Sequence, residues 1–272
     1  LCCMRTFREG FSRRWRAGIV ARRMGETNAD WLKAQPFTLA LSAGFFGFFA
    51  HTGVLRALER AGLAPRRIVG VSAGALAGGL WASGMTAPQI EEELVSLRRV
   101  DFWDPGLPLG GLLKGGKFAA KLRTLLDARG VSRVEDCRLE FAAVVYDVAS
   151  RRVRPVARGP LGPAIQASCT VPLMFRPLRH EGRLLLDGGV ADRLGLCALA
   201  PGERVMHHLL RSRSPWRGLR RGAPDVLSEG PCRKVLVVED LPKVSPFRLE
   251  AGPDALERAY AAASRWLTAP AS

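Results

Sequence analysis

The sequence predicts a single-domain α/β fold with three layers, in which a mostly parallel central sheet carries helices on both faces. From Pro36 onwards, short apolar runs alternate with longer segments of helical spacing, which is typical of buried parallel strands joined by helices. At 272 residues, 47% of them hydrophobic, the chain is long and apolar enough for a sizeable core. It shows neither an internal repeat nor a clear linker, so we expect one domain over residues 36–272.

Two strand and helix units open this domain. The run FTLALSAG predicts a buried strand, and FFAHTGVLRALERAG predicts a helix because Val54, Leu55 and Leu58 recur at helical spacing before Gly62. The run RRIVGV predicts a second strand, and AGALAGGLWASG predicts a second helix rich in small residues. This order of elements indicates parallel strands joined by right-handed crossovers.

The remaining elements follow in chain order. A helix is predicted over TAPQIEEELVSLRRV with Thr86 as its N-cap, and then a Gly and Pro loop over DFWDPGLPLGGLLKGG that forms a lid or the rim of a cleft. Two strands flank a turn at residues 149–151, and GPAIQASCTVP predicts a short helix that ends before Pro172. Strands are expected at GRLLLDGGV, RVMHHLLRS and KVLVVEDL, and a C-terminal amphipathic helix at GPDALERAYAAASRWL.

Residues 1–35 are predicted to be a basic N-terminal extension. Within it, apolar residues recur every four positions among arginines, at Phe7, Phe11, Trp15 and Ile19, which is typical of a basic amphipathic helix. Such a helix either anchors the protein to anionic lipid, or it packs on the domain or is a frayed extension. We favour the latter two, because one short stripe is weak support for an anchor.

The charge balance narrows the range of partners. The 41 Lys and Arg residues exceed the 25 Asp and Glu residues and give a formal charge of +16, which favours an anionic membrane surface or nucleic acid. Nucleic acid is not expected, because no binding motif is legible and the arginines are not interleaved with stacking aromatics. The six cysteines show neither metal-ligand spacing nor a disulfide framework, which fits a reduced, cytoplasmic protein bound to membranes at most peripherally.

A serine lies between two glycines where the second predicted strand meets its helix. Gly70, Ser72 and Gly74 form the pattern G-x-S-x-G, which in this context is typical of a nucleophile elbow, a tight turn that exposes a serine hydroxyl. Helix N-terminal amides beside the hydroxyl favour negative charge there. The same pattern fits an N-cap serine without chemistry, so the motif alone does not decide.

Two further loops are expected beside this serine. The run SAGFFG, residues 42–47, precedes a helix, and its exposed amides can face the oxyanion formed when Ser72 attacks a carbonyl. Far downstream, Asp187 begins the sequence DGG at a strand end, where Gly188 and Gly189 let a carboxylate approach another loop. The three loops converge if they lie at the carboxyl ends of neighbouring parallel strands.

On these residues the chain resembles the patatin-like phospholipases. The resemblance runs from about Phe37 to Val190 and includes the G-x-S-x-G, the D-G-G, HTGVLRALERAGL and QASCTVPLMFRPL. It implies a patatin-like fold and a dyad without histidine, in which Asp187 deprotonates Ser72, an acyl-enzyme forms and water releases the fatty acid. It also implies an oxyanion hole of backbone N–H groups in the glycine loop, at Gly44, Phe45 and Gly47.

The chain departs from the family pattern in two loops. Ser42 replaces the first glycine of G-x-G-x-x-G, Gly44 and Gly47 fit the others, and phenylalanines stand where a basic residue is usual. After D-G-G the chain reads VADRLGL, whereas the family normally has a stretch ending in Asn-x-Pro. Because removal of one hole donor typically slows an enzyme about 100-fold to 1000-fold, both changes bear on turnover.

Three other functions remain open on the sequence alone. An α/β-hydrolase esterase would add His207 or His208 to a Ser-His-Asp triad. Against it, only one strand and helix precede the elbow, and neighbouring strand residues face opposite ways, so at most one histidine is expected to point inward. A carrier-protein acyltransferase also needs a histidine base. A catalytically weak scaffold would bind lipid or protein through its basic surface.

Taken with the resemblance, these features predict a lipid acyl hydrolase that cleaves carboxylic esters of membrane or storage lipids. Large apolar residues of the loops are expected to line an acyl channel: Phe45, Phe46, Phe48, Phe49, Phe102 and Trp103. The expected partners are a lipid substrate and an anionic membrane surface. No cofactor, metal or calcium is expected, because the dyad supplies the nucleophile and the hole stabilises the charge.

Overall fold

The computed structural model describes residues 25–107, 110–211 and 227–271, so the helix predicted over residues 5–24 lies outside it. Its α-helices are α1 (Asn28–Ala34), α2 (Phe48–Arg60), α3 (Ala73–Ala82), α4 (Ala87–Val95), α5 (Gly116–Asp127), α6 (Leu161–Ser168) and α7 (Gly252–Thr268). Its strands are β1 (Thr38–Leu41), β2 (Arg67–Val71), β3 (Gly111–Leu113), β4 (Glu140–Asp147), β5 (Arg152–Val156), β6 (Leu173–Phe175), β7 (Leu178–His180), β8 (Arg183–Asp187), β9 (Val205–Leu209) and β10 (Arg233–Val237).

The described residues form an eight-stranded central sheet with the pairing path β10-β9-β1-β2-β4-β8-β7, and β5 also pairs with β4. Neighbouring strands are parallel from β10 to β4, whereas β5 and β8 run antiparallel to β4, and β7 runs antiparallel to β8. Helices flank this mostly parallel sheet. The predicted α/β fold class is therefore confirmed.

The sheet separates two apolar clusters of unequal size. In β2, Ile68 belongs to the larger cluster, whereas Val69 and Val71 belong to the smaller one, as expected when successive side chains face opposite sides. Residues of α2, α3, α4, α6 and α7 fill the larger cluster, and a 3₁₀ turn at Leu196–Ala198 covers the smaller one. Because both faces are covered, these strands appear in the sequence as uninterrupted apolar runs.

Helices α2 and α7 cross so closely that only a glycine fits between them. A Cβ on Gly53 of α2 would lie 2.2 Å from the carbonyl oxygen of Leu256 in α7. Beside this contact, Arg56 reaches from α2 to Glu91 of α4 at 2.9 Å and to Glu257 of α7 at 2.7 Å. Its buried guanidinium therefore joins three helices through charge-assisted hydrogen bonds.

Part of the predicted N-terminal extension packs on the C-terminal helix. The side chain of Asn28 in α1 donates a hydrogen bond of 3.0 Å to the Trp266 carbonyl, and Ala271 N–H donates to the Glu26 carbonyl at 2.7 Å. Trp31 and Leu32 contribute to the larger cluster. The boundary placed at residue 35 thus follows a helix that contacts the body of the domain.

The segment predicted as a Gly and Pro loop is more ordered than its composition indicates. Its residues form β3, which pairs with β6 in parallel, and lead into α5, which the sequence reasoning missed. The Asp104 carboxylate accepts the Gly115 and Lys117 amides at 3.0 and 3.1 Å and so caps the start of this helix. A cap supplied from eleven or more residues upstream leaves no local signal beside the helix.

Candidate active site

Ser72 lies at the junction of β2 and α3 in a strained backbone conformation. Its φ and ψ are 54° and −118°, a combination that non-glycine residues rarely adopt. A Cβ on Gly70 would lie 2.5 Å from the Cα of Ala75, and one on Gly74 would lie 2.2 Å from the Leu41 carbonyl oxygen. Both glycines of the pattern are therefore needed sterically, as a nucleophile elbow requires.

The elbow is tied to the neighbouring strand β4 by Ser168, at the end of α6. Ser72 N–H donates to Ser168 Oγ at 2.9 Å, and this hydroxyl donates in turn to the Val144 carbonyl at 2.7 Å. The thiol of Cys169 donates to the Ser72 carbonyl at 3.2 Å. The sequence reasoning assigned no role to Ser168, although it lies in the family segment QASCTVP.

Asp187 reaches the elbow from the opposite direction. Strand β5 pairs with residues 143–147 of β4 and therefore occupies one side of that strand. On its other side, β4 pairs with β2 up to Val144 and with β8 from Val145 to Asp147. Strands β2 and β8 therefore share this second side of β4. Val71 pairs with Val144 and Asp187 with Val145, so β2 and β8 meet end to end one register position apart. The expectation that all three loops follow parallel strands was wrong for Asp187, because β8 is antiparallel to β4.

Residues 168–170 contact both candidate dyad members. Asp187 N–H donates to the Thr170 carbonyl at 2.9 Å, and burial together with the Asp187 charge raises the pKa of the Cys169 thiol well above its ordinary value. Asp187 Oδ1 also accepts the Gly189 amide at 2.7 Å. Asp187 and Ser72 keep 5% and 9% exposure, so both lie at a largely desolvated place beneath the surface.

The aspartate loop is held between β4 and the glycine loop. A Cβ on Gly188 would lie 2.4 Å from the Val144 carbonyl oxygen, and one on Gly189 would lie 2.8 Å from the Ala43 Cβ. Ala43 N–H donates to the Arg193 carbonyl at 2.8 Å. The three loops predicted around Ser72 are therefore in contact with one another or with the same residues of β4.

The glycine loop presents two amides next to each other. Within the described ranges, the N–H groups of Gly44 and Phe45 donate no hydrogen bond, whereas Gly47 N–H closes the turn on the Gly44 carbonyl at 3.0 Å. Gly47 is also required sterically, because a Cβ there would lie 2.1 Å from Leu210 Cδ1. The same holds for Gly44, where a Cβ would lie 2.5 Å from that atom. Of the three residues predicted for the hole, Gly44 and Phe45 keep an amide available.

The two loops that depart from the family pattern have their own supports. The hydroxyl of Ser42, where the family has glycine, accepts the Leu210 amide at 2.9 Å. The buried guanidinium of Arg193 donates to the Ala43 and Leu210 carbonyls at 3.2 and 2.8 Å. The Asp192 carboxylate accepts the amides of residues 194 and 197. Arg193, which the sequence reasoning did not single out, thus links the aspartate loop to the glycine loop.

A buried pair of histidines supports the glycine loop from below. His51 Nε2 lies 2.9 Å from the Ser42 carbonyl oxygen, and His51 Nδ1 lies 2.8 Å from His208 Nδ1. A carbonyl can only accept, so His51 carries its proton on Nε2, and His208 Nδ1–H donates to His51 Nδ1. Burial lowers the pKa of His51 to about 4 and holds that of His208 well below its ordinary value, which keeps both rings neutral.

The structure does not assemble a histidine triad. His207 and His208 lie in β9, which is separated from β2 by β1, and no histidine ring in the described ranges donates to or accepts from Ser72. The expectation that at most one of the two points inward was wrong, because both faces of β9 are covered and both residues are fully buried. An α/β-hydrolase triad is therefore not supported.

The aromatic residues expected to line an acyl channel divide into two groups. Phe49 belongs to the core, where its ring fills the space that a Cβ on Gly252 would occupy. Phe45 is 60% exposed. The ring centroid of Phe46 lies 4.9 Å from that of Phe45 and 5.8 Å from that of Phe102. The second group therefore lies beside the glycine loop.

The described residues contain no group of three His, Cys, Asp or Glu side chains arranged to hold a metal ion. Among the same residues, none of the helices combines the length and the apolar character that a membrane crossing requires.

Comparison with known proteins adds relatives to this geometry. An uncharacterised NTE family protein of Mycobacterium tuberculosis is 32% identical over 164 residues, covering 60% of this chain and 45% of the relative. The neuropathy target esterase sws of Drosophila melanogaster is 28% identical over 189 residues, covering 66% of this chain and 13% of that protein. The chain thus spans less than half the length of these curated relatives.

A solved structure shares the fold. The crystal structure of VipD from Legionella pneumophila superimposes with a TM-score of 0.60 at 13% sequence identity, covering 85% of this chain and 66% of that chain. The family model described as patatin-like phospholipase matches residues 39–199, which contain all three loops of the candidate site. The chain belongs to the patatin-like phospholipase family.

Proposed function

We propose that the protein is a serine-dependent lipid acyl hydrolase in which Ser72 and Asp187 form the catalytic dyad. The observation that carries this proposal is the end-to-end meeting of β2 and β8 on β4, where Val71, the residue before the strained Ser72, pairs with Val144 and Asp187 pairs with the next residue, Val145. A hydroxyl held in an elbow beside a carboxylate is the arrangement that nucleophilic catalysis requires.

In the proposed reaction, Ser72 Oγ attacks the carbonyl carbon of an ester while its proton passes to Asp187. The negative oxygen of the tetrahedral intermediate accepts the Gly44 and Phe45 amides. The carbon to alkoxide bond then breaks, and the proton on Asp187 moves to the leaving alcohol. Water, deprotonated by Asp187, attacks the acyl-enzyme, the bond between the acyl carbon and Ser72 Oγ breaks, and Asp187 returns the proton to Ser72 Oγ as the carboxylic acid leaves.

Membership of a phospholipase family and similarity to a protein named as an esterase support a lipid ester as the substrate. The exposed Phe45 and the half-buried Phe46 of the glycine loop provide apolar surface for an acyl chain. The Arg193 and Ser42 contacts hold the glycine loop despite its departures from the family pattern, which supports turnover rather than a scaffold without activity.

Hydrolysis of a short-chain nitrophenyl ester and of phospholipid vesicles tests this proposal. We expect Ser72→Ala and Asp187→Asn each to lower kcat/KM at least about 100-fold, because general base catalysis and the nucleophile are lost. The matched controls are Ser96→Ala and Asp127→Asn, which change exposed residues outside the candidate site.

Three results would contradict the proposal. Full activity in Asp187→Asn would remove the dyad, and loss of activity in His207→Leu with retained folding would favour a histidine base. A folded wild-type protein that hydrolyses neither substrate but binds vesicles would identify a lipid-binding scaffold.

A further inference from the structure

Large exposed hydrophobic residues are unevenly distributed over the protein. The described residues with such side chains are Phe45, Val95, Val100, Leu107, Leu112, Leu173, Val237 and Phe247. Six of these residues, all except Val95 and Val237, lie in four segments: the glycine loop, the stretch from residue 100 to β3, strand β6, and the loop that contains Phe247. These segments contact one another. Single exposed apolar residues are normal on a protein surface, but a contiguous group marks an interaction surface.

Leu107, Leu112 and Leu173 lie in the loop before β3, in β3 and in β6. Gly106 N–H donates to the Leu112 carbonyl at 3.0 Å, and the Arg176 guanidinium donates to the Leu107 carbonyl at 2.6 Å. Leu173 pairs in register with Gly111, the residue before Leu112. Strand β3 exposes Leu112 between two buried residues, and Leu173 is exposed at the start of β6.

The same loop carries the group towards the glycine loop. Lys117 Nζ donates to the Val100 carbonyl at 2.9 Å, and the Trp103 and Phe247 rings have centroids 5.7 Å apart. Phe102, next to Trp103, meets Phe46 at 5.8 Å, and Phe46 meets Phe45 at 4.9 Å. We name the six exposed residues Phe45, Val100, Leu107, Leu112, Leu173 and Phe247 the apolar rim.

Basic side chains accompany the apolar rim. Lysines and arginines of its segments are Arg98, Arg99, Lys114, Lys117, Lys243 and Arg248, of which Arg98 is paired with Asp101 at 3.7 Å. The Arg99 guanidinium lies 5.9 Å from the Trp103 ring centroid and 5.2 Å from that of Phe247, so its charge sits over the aromatic part of the rim. The Asp104 carboxylate faces two backbone amides, which partly offsets its negative charge. Apolar residues with cations nearby complement an anionic lipid surface.

We propose that the apolar rim is the surface by which the protein docks on an anionic membrane. The proposal rests on the proposed function only in that docking would deliver lipid to Ser72, since Phe45 belongs both to the rim and to the glycine loop. Docking itself requires no turnover. It assigns the partner to a bilayer rather than to a second protein, because the rim combines exposed apolar side chains with the nearby Arg99 cation.

Flotation with vesicles tests the docking surface in a Ser72→Ala background, where hydrolysis does not alter the lipid. The probes are vesicles of phosphatidylcholine alone and of an equimolar mixture with phosphatidylglycerol. The rim variant combines Leu112→Ser with Leu173→Ser. The matched control combines Val95→Ser with Val237→Ser, which removes exposed apolar residues outside the rim. Thermal unfolding of each variant verifies folding.

We expect the rim variant to lower the partition coefficient onto mixed vesicles about tenfold or more, because two aliphatic side chains no longer enter the interface. The control should stay within about twofold of the parent. Arg99→Gln with Lys114→Gln should weaken binding to mixed vesicles and leave binding to neutral vesicles unchanged. Failure of the dyad in the ester assay would not affect these results.

Equal binding of the rim variant and its parent to mixed vesicles would overturn the proposal. So would a concentration-dependent dimer of the parent that the rim variant loses while vesicle binding persists, because the rim would then face a second copy of the chain.

Discussion

At the scale of single residues, the strain at Ser72 persists because its neighbours leave no other path for the chain. Gly74 lies against the Leu41 carbonyl, and Gly70 lies against the first turn of α3. Ser168 fixes the intervening amide to β4. Such a conformation is maintained only where surrounding contacts over-determine it, which is frequent at functional sites.

Gly74→Ala tests this steric requirement. The new methyl group would lie 2.2 Å from the Leu41 carbonyl oxygen, so β1 or α3 must shift. We expect the free energy of unfolding in urea to fall by about 1 to 3 kcal/mol or more. Gly230→Ala, where a Cβ meets nothing within 4 Å, is the control and should change it by less than about 0.5 kcal/mol. Equal stability of the two variants would show that the elbow has room.

The buried histidines predict a loss of stability in mild acid. Burial lowers the pKa of His51 to about 4 and that of His207 to about 3, so the folded protein keeps both rings neutral. The unfolded chain takes up these protons below about pH 6.5, and stability is therefore lost as the pH falls from there through the folded values. For His207 the loss by pH 5 is about 2 kcal/mol.

Replacing His207 with leucine removes one such proton uptake. We expect urea unfolding of His207→Leu to show a drop between pH 7 and pH 5 that is about 2 kcal/mol smaller than in the wild type. His180→Gln, on the separate strand β7, is the control for a general effect of losing a histidine. An unchanged pH slope in His207→Leu would contradict the neutral state inferred for the buried ring.

At the scale of elements, Arg56 ties α2 to α4 and α7, whereas Arg258 forms an exposed pair with Asp254 within α7. We expect Arg56→Ala to lower the free energy of unfolding by about 3 to 5 kcal/mol, because two carboxylates lose a mostly buried partner and the stacking of Arg56 on Tyr260 is lost. Arg258→Ala should cost at most about 1 kcal/mol. Comparable losses in thermal or urea unfolding would refute the three-helix role of Arg56.

The elements that the sequence predicts well are those whose signals are local. The spacing of apolar residues predicts strand β1 and helix α2, and the small residues around Ser72 predict the elbow. Thr86 caps α4 as expected. Helix α5 escaped prediction because its cap, Asp104, lies upstream across β3. The antiparallel direction of β8 was not predictable either, since a single apolar strand carries no information about its partner.

The candidate site shows the same division. The family resemblance pointed to Ser72, Asp187 and the glycine loop, but the supports of that loop come from distant parts of the chain. Arg193 and His208 reach it only through the folded sheet, and their sequence neighbourhoods resemble an ordinary loop and an ordinary buried strand. Tertiary hydrogen bonds of this kind leave no periodic signal.

At the scale of the whole molecule, the candidate site and the proposed membrane-docking surface lie at one edge of the sheet. Strands β1 and β2 end at the glycine loop and the elbow, β8 brings the aspartate, and the apolar rim adjoins the glycine loop through Phe45 and Phe46. One large cluster of packed helices supports all of these elements from one face of the sheet. The candidate site and the exposed apolar rim are therefore neighbours on the same edge of the sheet.

The rate of covalent labelling by a fluorophosphonate tests the central claim, which is the partnership of Ser72 and Asp187. Ser72 Oγ would displace fluoride at phosphorus while its proton passes to Asp187, and mass spectrometry of the digested protein locates the adduct. We predict an adduct on Ser72, labelling at least about 100-fold slower in Asp187→Asn, and a rate within about twofold of wild type in His207→Leu. An adduct on another residue, or wild-type labelling of Asp187→Asn, would contradict the dyad.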